Sequence, residues 1–515
     1  MMRRFLLVLL ISLSLASPAR AEPISAIITA VGTALKAFEF AKFFAQIVLS
    51  TGMSLLAQKL RGKPDEPGLQ NRFKGRGGSE PETIILGRCA VLGHQVYHNS
   101  TGGNNRYYHE VLELAGMPGA TFLKLIIDGE YSTLGDTDAD YGDEIDTKIT
   151  EGGVKRGWIK YFDGTQTTAD AMLVDRYGSD PDRPWTANHI LTGKPYAVVT
   201  TDFDRKLFRR GVSEMRFEMM GVPVYDPRAD SSVGGSGTQR WDNPSTWVQS
   251  ENPVLLIYYI MRGITLPDGS VWGGDCDFDD LPIDNWIAAM NKCDVNVDGR
   301  PKYRGGIEIK FTEAPERYIT ELMAACAAQM SELGGVWRIQ VDAPDTAVVS
   351  VTDDDMSVSH SGEANPFPGL ESTFNAITVT HPDPEALWNG KPAITITNAG
   401  WEAEDGTRRV FDLKLAAVPY PEQAKQLANL MLKENRRFRR HKRVLPPEYF
   451  FMETLQTLAW TSETYGYEAT LFEVAEVAYD LFTFNTYVSL RERDPADFTP
   501  DLGLELPSPT PATGA

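Results

Sequence analysis

Three acidic clusters and one histidine cluster are the residues of this chain whose types and spacing invite chemistry. Asp136, Asp138 and Asp140, followed by Gly142, alternate as the oxygen ligands of a calcium loop do. An EF-hand loop requires glycine at its sixth position and a bidentate glutamate at its twelfth. Tyr141 and Thr147 hold those places, so a solvated acidic loop is expected instead. Asp275, Asp277, Asp279 and Asp280 surround Cys276, but nothing in their spacing fixes a converging geometry, and an exposed acidic turn is expected. Asp353, Asp354 and Asp355 receive the same reading. His94, His98 and His109 are close in sequence, yet a metal site would need them to converge, which strand alternation does not demand.

Nucleophilic and zinc chemistry find less support. Gly234-Gly235-Ser236-Gly237-Thr238 lacks the closing glycine of a nucleophile elbow, and no HExxH is present. Cys89, Cys276, Cys293 and Cys326 are scattered, and no two form a CxxC pair, so buried free thiols are expected. The residues therefore point to a protein that is not an enzyme, with no catalytic, cofactor-binding or metal-ligating set.

The sharpest charge feature is basic: Arg436, Arg437, Arg439, Arg440, Lys442 and Arg443, with Phe438 and His441 between them. Three readings fit. Basic residues are favourable at a helix C-terminus; the run could meet an acidic neighbouring subunit; or it could form a DNA-facing collar. These six residues are the candidate inter-subunit or lumen-facing patch.

The elements that must position such residues follow from the totals. A chain of 515 residues should divide into about three or four domains. The net charge of −20 argues against a nucleic-acid binder, which gains affinity by neutralising phosphates. Acidity would still suit a wall past which DNA slides, because repulsion acts over roughly 8 Å at physiological salt.

Met1 to Ala21 reads as a secretory signal: Arg3 and Arg4, the apolar run Phe5 to Leu15, then Ala19-Arg20-Ala21. A second apolar stretch, Ile24 to Leu56, is broken by Lys36, Glu39 and Lys42. Ile27, Ile28, Val31, Leu35 and Phe38 share one helical face, which predicts an amphipathic helix. It could line a trimer axis, plug a tube, enter a membrane, or pack as an ordinary helical hairpin.

The expected organisation is an apolar N-terminal helical segment at 1–60, a linker at 61–82, and a first strand-rich part at 83–228. A mixed α/β part at 229–345, a second strand-rich part at 346–495 with one long helix, and a flexible tail at 496–515 complete it. Helices are expected at Pro253 to Met261, Ile283 to Asn291, Ala314 to Leu333 (ended by Gly334-Gly335) and Glu422 to His441. The fold class is α+β, mainly β.

Several segments together resemble the tail-tip attachment proteins of siphophages, the lambda-type host-specificity family. They include Phe217-Glu218-Met219-Met220-Gly221-Val222-Pro223-Val224-Tyr225-Asp226-Pro227-Arg228, Gly164-Thr165-Gln166, Ala197-Val198-Val199, and Trp241 followed by Asn252-Pro253. Gly334-Gly335-Val336-Trp337-Arg338, Phe374-Asn375-Ala376, the run Gln423 to Arg440 and Leu490-Arg491-Glu492-Arg493-Asp494 continue it in collinear order. The words are packing and turn signatures and imply architecture rather than an active site. The resemblance implies a baseplate-hub-like fold with tube-like β-barrel domains and interspersed helical segments. It further implies a homotrimer that closes the distal end of the tail tube and opens for genome ejection.

The partners so implied are distal tail, tail tube and tape-measure proteins, separate central or side fibre proteins, and phage DNA passing without sequence-specific binding. Longer relatives continue into a receptor-binding fibre, whereas this chain stops at Ala515, so receptor binding is expected to fall to a separate fibre. The implied location is the virion tail tip, assembled in the host cytoplasm, with residues 1–60 later meeting the host membrane. The secretory-looking start keeps a competing reading open: an exported cell-envelope protein with β-rich binding modules. A tip-borne peptidoglycan hydrolase is a third.

Overall fold

The strand Pro195–Asp202 shows how this sequence builds its first layers. All eight of its residues are buried, and successive side chains of a strand point to opposite faces. Ala197 and Val199 enter one core, with Ile85, Leu112, Leu125, Ile159 and Phe217. Tyr196 and Val198 enter another, with Val111, Met172, Leu173, Tyr177 and Trp185. The strand is therefore central to a sheet covered on both sides.

The computed structural model describes residues 75–76, 81–146, 149–151, 153–204, 208, 213–357, 362–365 and 373–501. The N-terminal apolar segment, most of the linker and most of the C-terminal tail lie outside the described residues.

That sheet has seven strands in the order Gly75–Arg76, His94–Thr101, Tyr107–Glu113, Pro195–Asp202, Gly157–Asp163, Gly142–Ile145 and Leu134–Asp138. A five-stranded sheet packs against it, in the order Gly306–Lys310, Thr83–Val91, Met215–Met220, Thr121–Ile127 and Glu130–Ser132. Strand Thr83–Val91 changes partner midway, pairing through Gly87 with Gly306–Lys310 and from Arg88 with Met215–Met220. Gly87 makes the switch at φ +65°, and a Cβ there would lie 2.0 Å from the Gly305 carbonyl oxygen, so only glycine fits. Helix α1, Ala171–Tyr177, covers the other face of the larger sheet, N-capped by the buried Asp170 carboxylate, which accepts from the Leu173 N–H.

The middle of the chain carries α2 (Pro253–Arg262), α3 (Ile283–Cys293) and α4 (Pro315–Ala325). In α2 every residue but Arg262 is buried, and Asn252 caps its start through the N–H groups of Val254 and Leu255. The helix expected from Ala314 to Leu333 stops at Ala325. Ala328–Leu333 and Val336–Val341 form an antiparallel hairpin, with Gly334 and Gly335 both at positive φ in its two-residue turn. The Gly-Gly pair is a hairpin turn and not a helix stop. Tertiary contacts decide the matter: Trp286 of α3 donates from its indole N–H to the Trp337 carbonyl, and Asn285 both donates to and accepts from Ile339.

A six-stranded sheet follows, in the order Val349–Thr352, Thr457–Ser462, Tyr467–Tyr479, Thr486–Glu492, Arg440–Leu445 and Glu363–Asn365. Leu445, Leu458, Trp460, Phe472, Val474, Val488 and Leu490 form its core. A three-stranded sheet, Asn389–Thr397, Ala376–Asp383 and Val410–Lys414, carries the short α5, Ala399–Asp405, in its connection. Helix α6, Pro421–Asn435, packs on Ala376–Asp383. The long helix expected to reach His441 thus ends earlier, and Arg440–Leu445 pairs with Thr486–Glu492 instead.

The parts read from sequence interlock. Gly306–Lys310, from the middle, completes the first five-stranded sheet, and Trp388, from the later strand-rich part, enters the first core. The fold is mainly β with interspersed helices. The expected tube-like barrels are not closed within one chain: among the described residues each large sheet ends in two unpaired edge strands. Strand alternation predicts a buried face, whereas closure depends on pairing of the first and last strand.

Candidate functional site

The basic run is shared between the end of α6 and the strand Arg440–Leu445, and most of its charge is answered within the chain. Arg436, the residue after α6, sits 2.6 Å from the Asp405 carboxylate and over the Trp401 ring. That guanidinium holds the Asp405 carboxyl below the usual aspartate range. Arg437 meets Asp494 and Asp497, each at 2.7 Å. Arg439 reaches Glu492 at 3.2 Å and lies over Tyr467. Arg440 stands opposite Arg491 across the strand pair. Lys442 pairs with Glu363 at 2.9 Å, where both groups are exposed. Arg443 donates to the Glu363 carbonyl and the Tyr465 hydroxyl, and covers Trp460 and Tyr465. Only Arg436 occupies the helix C-terminus that the first reading assigned to the run.

Between these side chains His441 is buried among Trp460, Tyr465, Tyr467 and Phe472. Burial, with Arg443 and Arg439 nearby, pushes its imidazole down to about 4, so it is neutral near pH 7.

Behind the strand lies an ion network whose partners the sequence reading did not pair. Arg493 is buried against Glu434 at 3.3 Å and Glu473 at 3.2 Å, and donates to the Asp342 carbonyl. Arg491 pairs with Glu473 at 2.5 Å and donates to Gln329. Lys302 joins by an ion pair to Asp342 and a bond to the Phe498 carbonyl. Burial pushes the Glu434 carboxyl up, against the pull of Arg493 and Arg491. The cluster ties strands 467–479 and 486–492 to the hairpin 328–341 and to α6. Arg491 and Arg493 lie in the segment Leu490-Arg491-Glu492-Arg493-Asp494, but their partners are distant in sequence, so spacing gives no sign of the network.

A second buried carboxylate, Glu218, accepts from Arg88, Tyr131 and Trp388, and burial raises it less than these three bonds lower it. Both clusters join segments remote in sequence, which suits a scaffold.

The residues considered for chemistry are brought to different places. Asp138 accepts from the N–H groups of Asp140 and Tyr141 and closes a hairpin turn. Asp277 and Asp280 form a capping box, as do Thr352 and Asp355. Asp353 accepts from the Trp460 indole and the Ser462 hydroxyl. His98 lies against Arg183, whereas His109 is buried and bonded to Thr200 at 2.9 Å. Burial, with Arg176 and Lys160, pushes His109 down to about 4. Among the described residues no group of three or more His, Cys, Asp or Glu is arranged to hold a metal ion. Ser236 lies in a turn anchored by Asp230, which accepts from Tyr225, Ser232 and Arg240. Asp226 accepts from Arg228, which also reaches Asp294, so Tyr225-Asp226-Pro227-Arg228 locks a turn to α3. An open cleft of about 460 Å³, lined by Gly119, Tyr161, Asp163 and Gln166 among others, offers one carboxylate, and Thr165 already bonds it.

Residues 314–477 match the family model described as "Putative phage tail protein". The fold is similar to that of a chain in the virion of a native gene transfer agent particle, at 15% identity, covering 94% of this chain and 100% of that one, with a TM-score of 0.55. At that identity the likeness is one of fold. The 43 kDa tail protein of prophage MuSo2 from Shewanella oneidensis is 10% identical, covering 82% of this chain and 100% of that one, with a TM-score of 0.29. A tail protein from Neisseria meningitidis MC58 is 8% identical, covering 82% and 98%, with the same score. No functional reading rests on these two. Among curated proteins none matches the chain in sequence.

Proposed function

We propose that this chain is the structural hub of a siphophage tail tip, a homotrimer that closes the tail tube, anchors fibre proteins and opens to let DNA into the host. The fold likeness to a virion chain over nearly the whole length carries the reading, and the tail-protein match over residues 314–477 supports it. The open sheets agree with it, since unpaired strand edges are a liability that pairing between copies around an axis removes. The tube-like wall then forms between copies. A net charge of −20 keeps a passing duplex from adhering.

The chain acts by assembly and not by catalysis. Its partners are its own copies, the distal tail, tail tube and tape-measure proteins, and separate fibre proteins, with residues 1–60 available to the host membrane. The basic run Arg436, Arg437, Arg439, Arg440, Lys442 and Arg443 would meet a neighbouring copy or the lumen through its exposed members Arg439 and Lys442. Arg436 and Arg437 are held instead by Asp405, Asp494 and Asp497.

Cryo-electron microscopy of purified particles tests this. Three copies at the distal end of the tail are expected, with an intact Met1-containing peptide in the same particles. Recovery of the chain from the periplasm with a mature start at Glu22, and its absence from particles, would overturn the proposal.

A further inference from the structure

Helices α3 and α4 both end on a cysteine, and the two ends meet. Cys293 is the last residue of α3, and Cys326 directly follows α4 as the residue that closes it. Both side chains are fully buried, at 0% exposure, and both helices pack on α2.

Backbone contacts draw these ends together beside the start of α2. The Tyr303 N–H donates to the Cys293 carbonyl at 3.0 Å. Gln423 of α6 donates to the carbonyls of Arg304 and Ala325, at 2.8 Å each. Gly305 sits between α2 and the end of α4, where a Cβ would lie 3.6 Å from Pro253 and 3.7 Å from Ala325. The segment 303–305 thus runs from one helix end to the other. Across it the Cys293 and Cys326 thiols are hydrogen-bonded to each other. The remaining cysteines lie elsewhere: Cys89 is in the first core, and the partly exposed Cys276 donates to the Gly274 carbonyl.

We propose that Cys293 and Cys326 are disulfide partners whose state is fixed as the chain folds, a bond in an oxidising compartment and two thiols in a reducing one. A bridge needs side chains that converge, and thiols in hydrogen-bond contact converge. Cys326 has already left helical geometry, at φ −129° and ψ 18°, so the helix does not lock the backbone on that side.

The oxidant is a disulfide, carried by a small molecule or by a dithiol oxidoreductase. One cysteine thiolate attacks it, forms a mixed disulfide and releases a first thiol. The second cysteine thiolate then displaces the other half. Two S–H bonds break and one S–S bond forms, while two electrons and two protons end on the oxidant as two thiols.

Only a thiolate attacks. In the folded chain both cysteines are closed off from solvent, and burial pushes the Cys293 thiol up, away from its reactive form. Exchange therefore belongs to the chain before α3 and α4 close on α2. Exported chains fold among disulfides and cytoplasmic ones among thiols, so the pair records where folding took place. That record stands apart from the hub reading.

Cell-free synthesis of the full chain, once with oxidised and once with reduced glutathione in excess, tests this. Alkylation after denaturation should count two free thiols in the first product and all four in the second. Peptide mapping should join Cys293 to Cys326, and Cys326→Ala should abolish the link. Oxidised glutathione added to the reduced chain after folding should leave all four thiols free.

Four free thiols in both products, or a link through Cys89 or Cys276, would overturn the pairing. Loss of two thiols when the folded chain meets the oxidant would overturn the fixing of the pair during folding. Particle imaging decides the hub reading separately.

Discussion

His109 and His441 are two of the residues through which acidity reaches this fold. Both are buried, and both imidazoles bind a proton near the ordinary 6.5 when unfolded but only near 4 in the native chain. Their contribution to stability is complete above pH 6.5 and is lost as pH falls from 6.5 to 4, amounting to about 3 kcal/mol each. Carboxylates held down by arginines, such as Asp202 beside Arg106 and Arg156, lose their contribution only at lower pH. The urea midpoint should therefore drop between pH 7 and pH 4.5, and less so in His441→Gln. A midpoint that stays flat over that range would refute the assignment.

At the scale of elements, α2 depends on the residue that caps its start. Asn252 is buried, accepts from Val254 and Leu255, and donates to the Met290 carbonyl at the end of α3. Asn252→Ala removes a cap and one of the two donors to the Met290 carbonyl, which keeps the Asp294 N–H, for a loss of about 1–2 kcal/mol. A thermal scan should show the shift, and a loss below ~1 kcal/mol would mean that α2 is held by its packing alone. The start of this helix was legible as Asn252-Pro253 before an apolar run. The end of α4 was not, because Ala328 to Leu333 continues a helical stripe, and only the pairing with Val336–Val341 makes it a strand.

For the whole molecule, the ion network around Glu473 couples the six-stranded sheet to the helices and hairpin of the middle. Replacing one member of a buried pair leaves its partners charged and unanswered, which costs about 3–5 kcal/mol. Arg493→Met should lower the melting midpoint accordingly at pH 7. The deficit should narrow on mild acidification, because Glu434, already pushed up by burial, can then take a proton. The opposite pH trend would show that the network does not carry this coupling.

Sequence alone determined which stretches are buried on one face, where α2 and α3 begin, and that the chain is acidic, mainly β and without a clustered metal or nucleophile motif. Those properties are local: they follow from alternation, caps and composition. Tertiary structure alone decided that Gly306–Lys310 completes the first sheet, that Trp388 bonds the buried Glu218, and that Arg436 to Arg439 find their carboxylates at Asp405 and at 492–497. These are pairings between segments far apart in the chain. One sequence allows many such partners, and only packing in space selects among them.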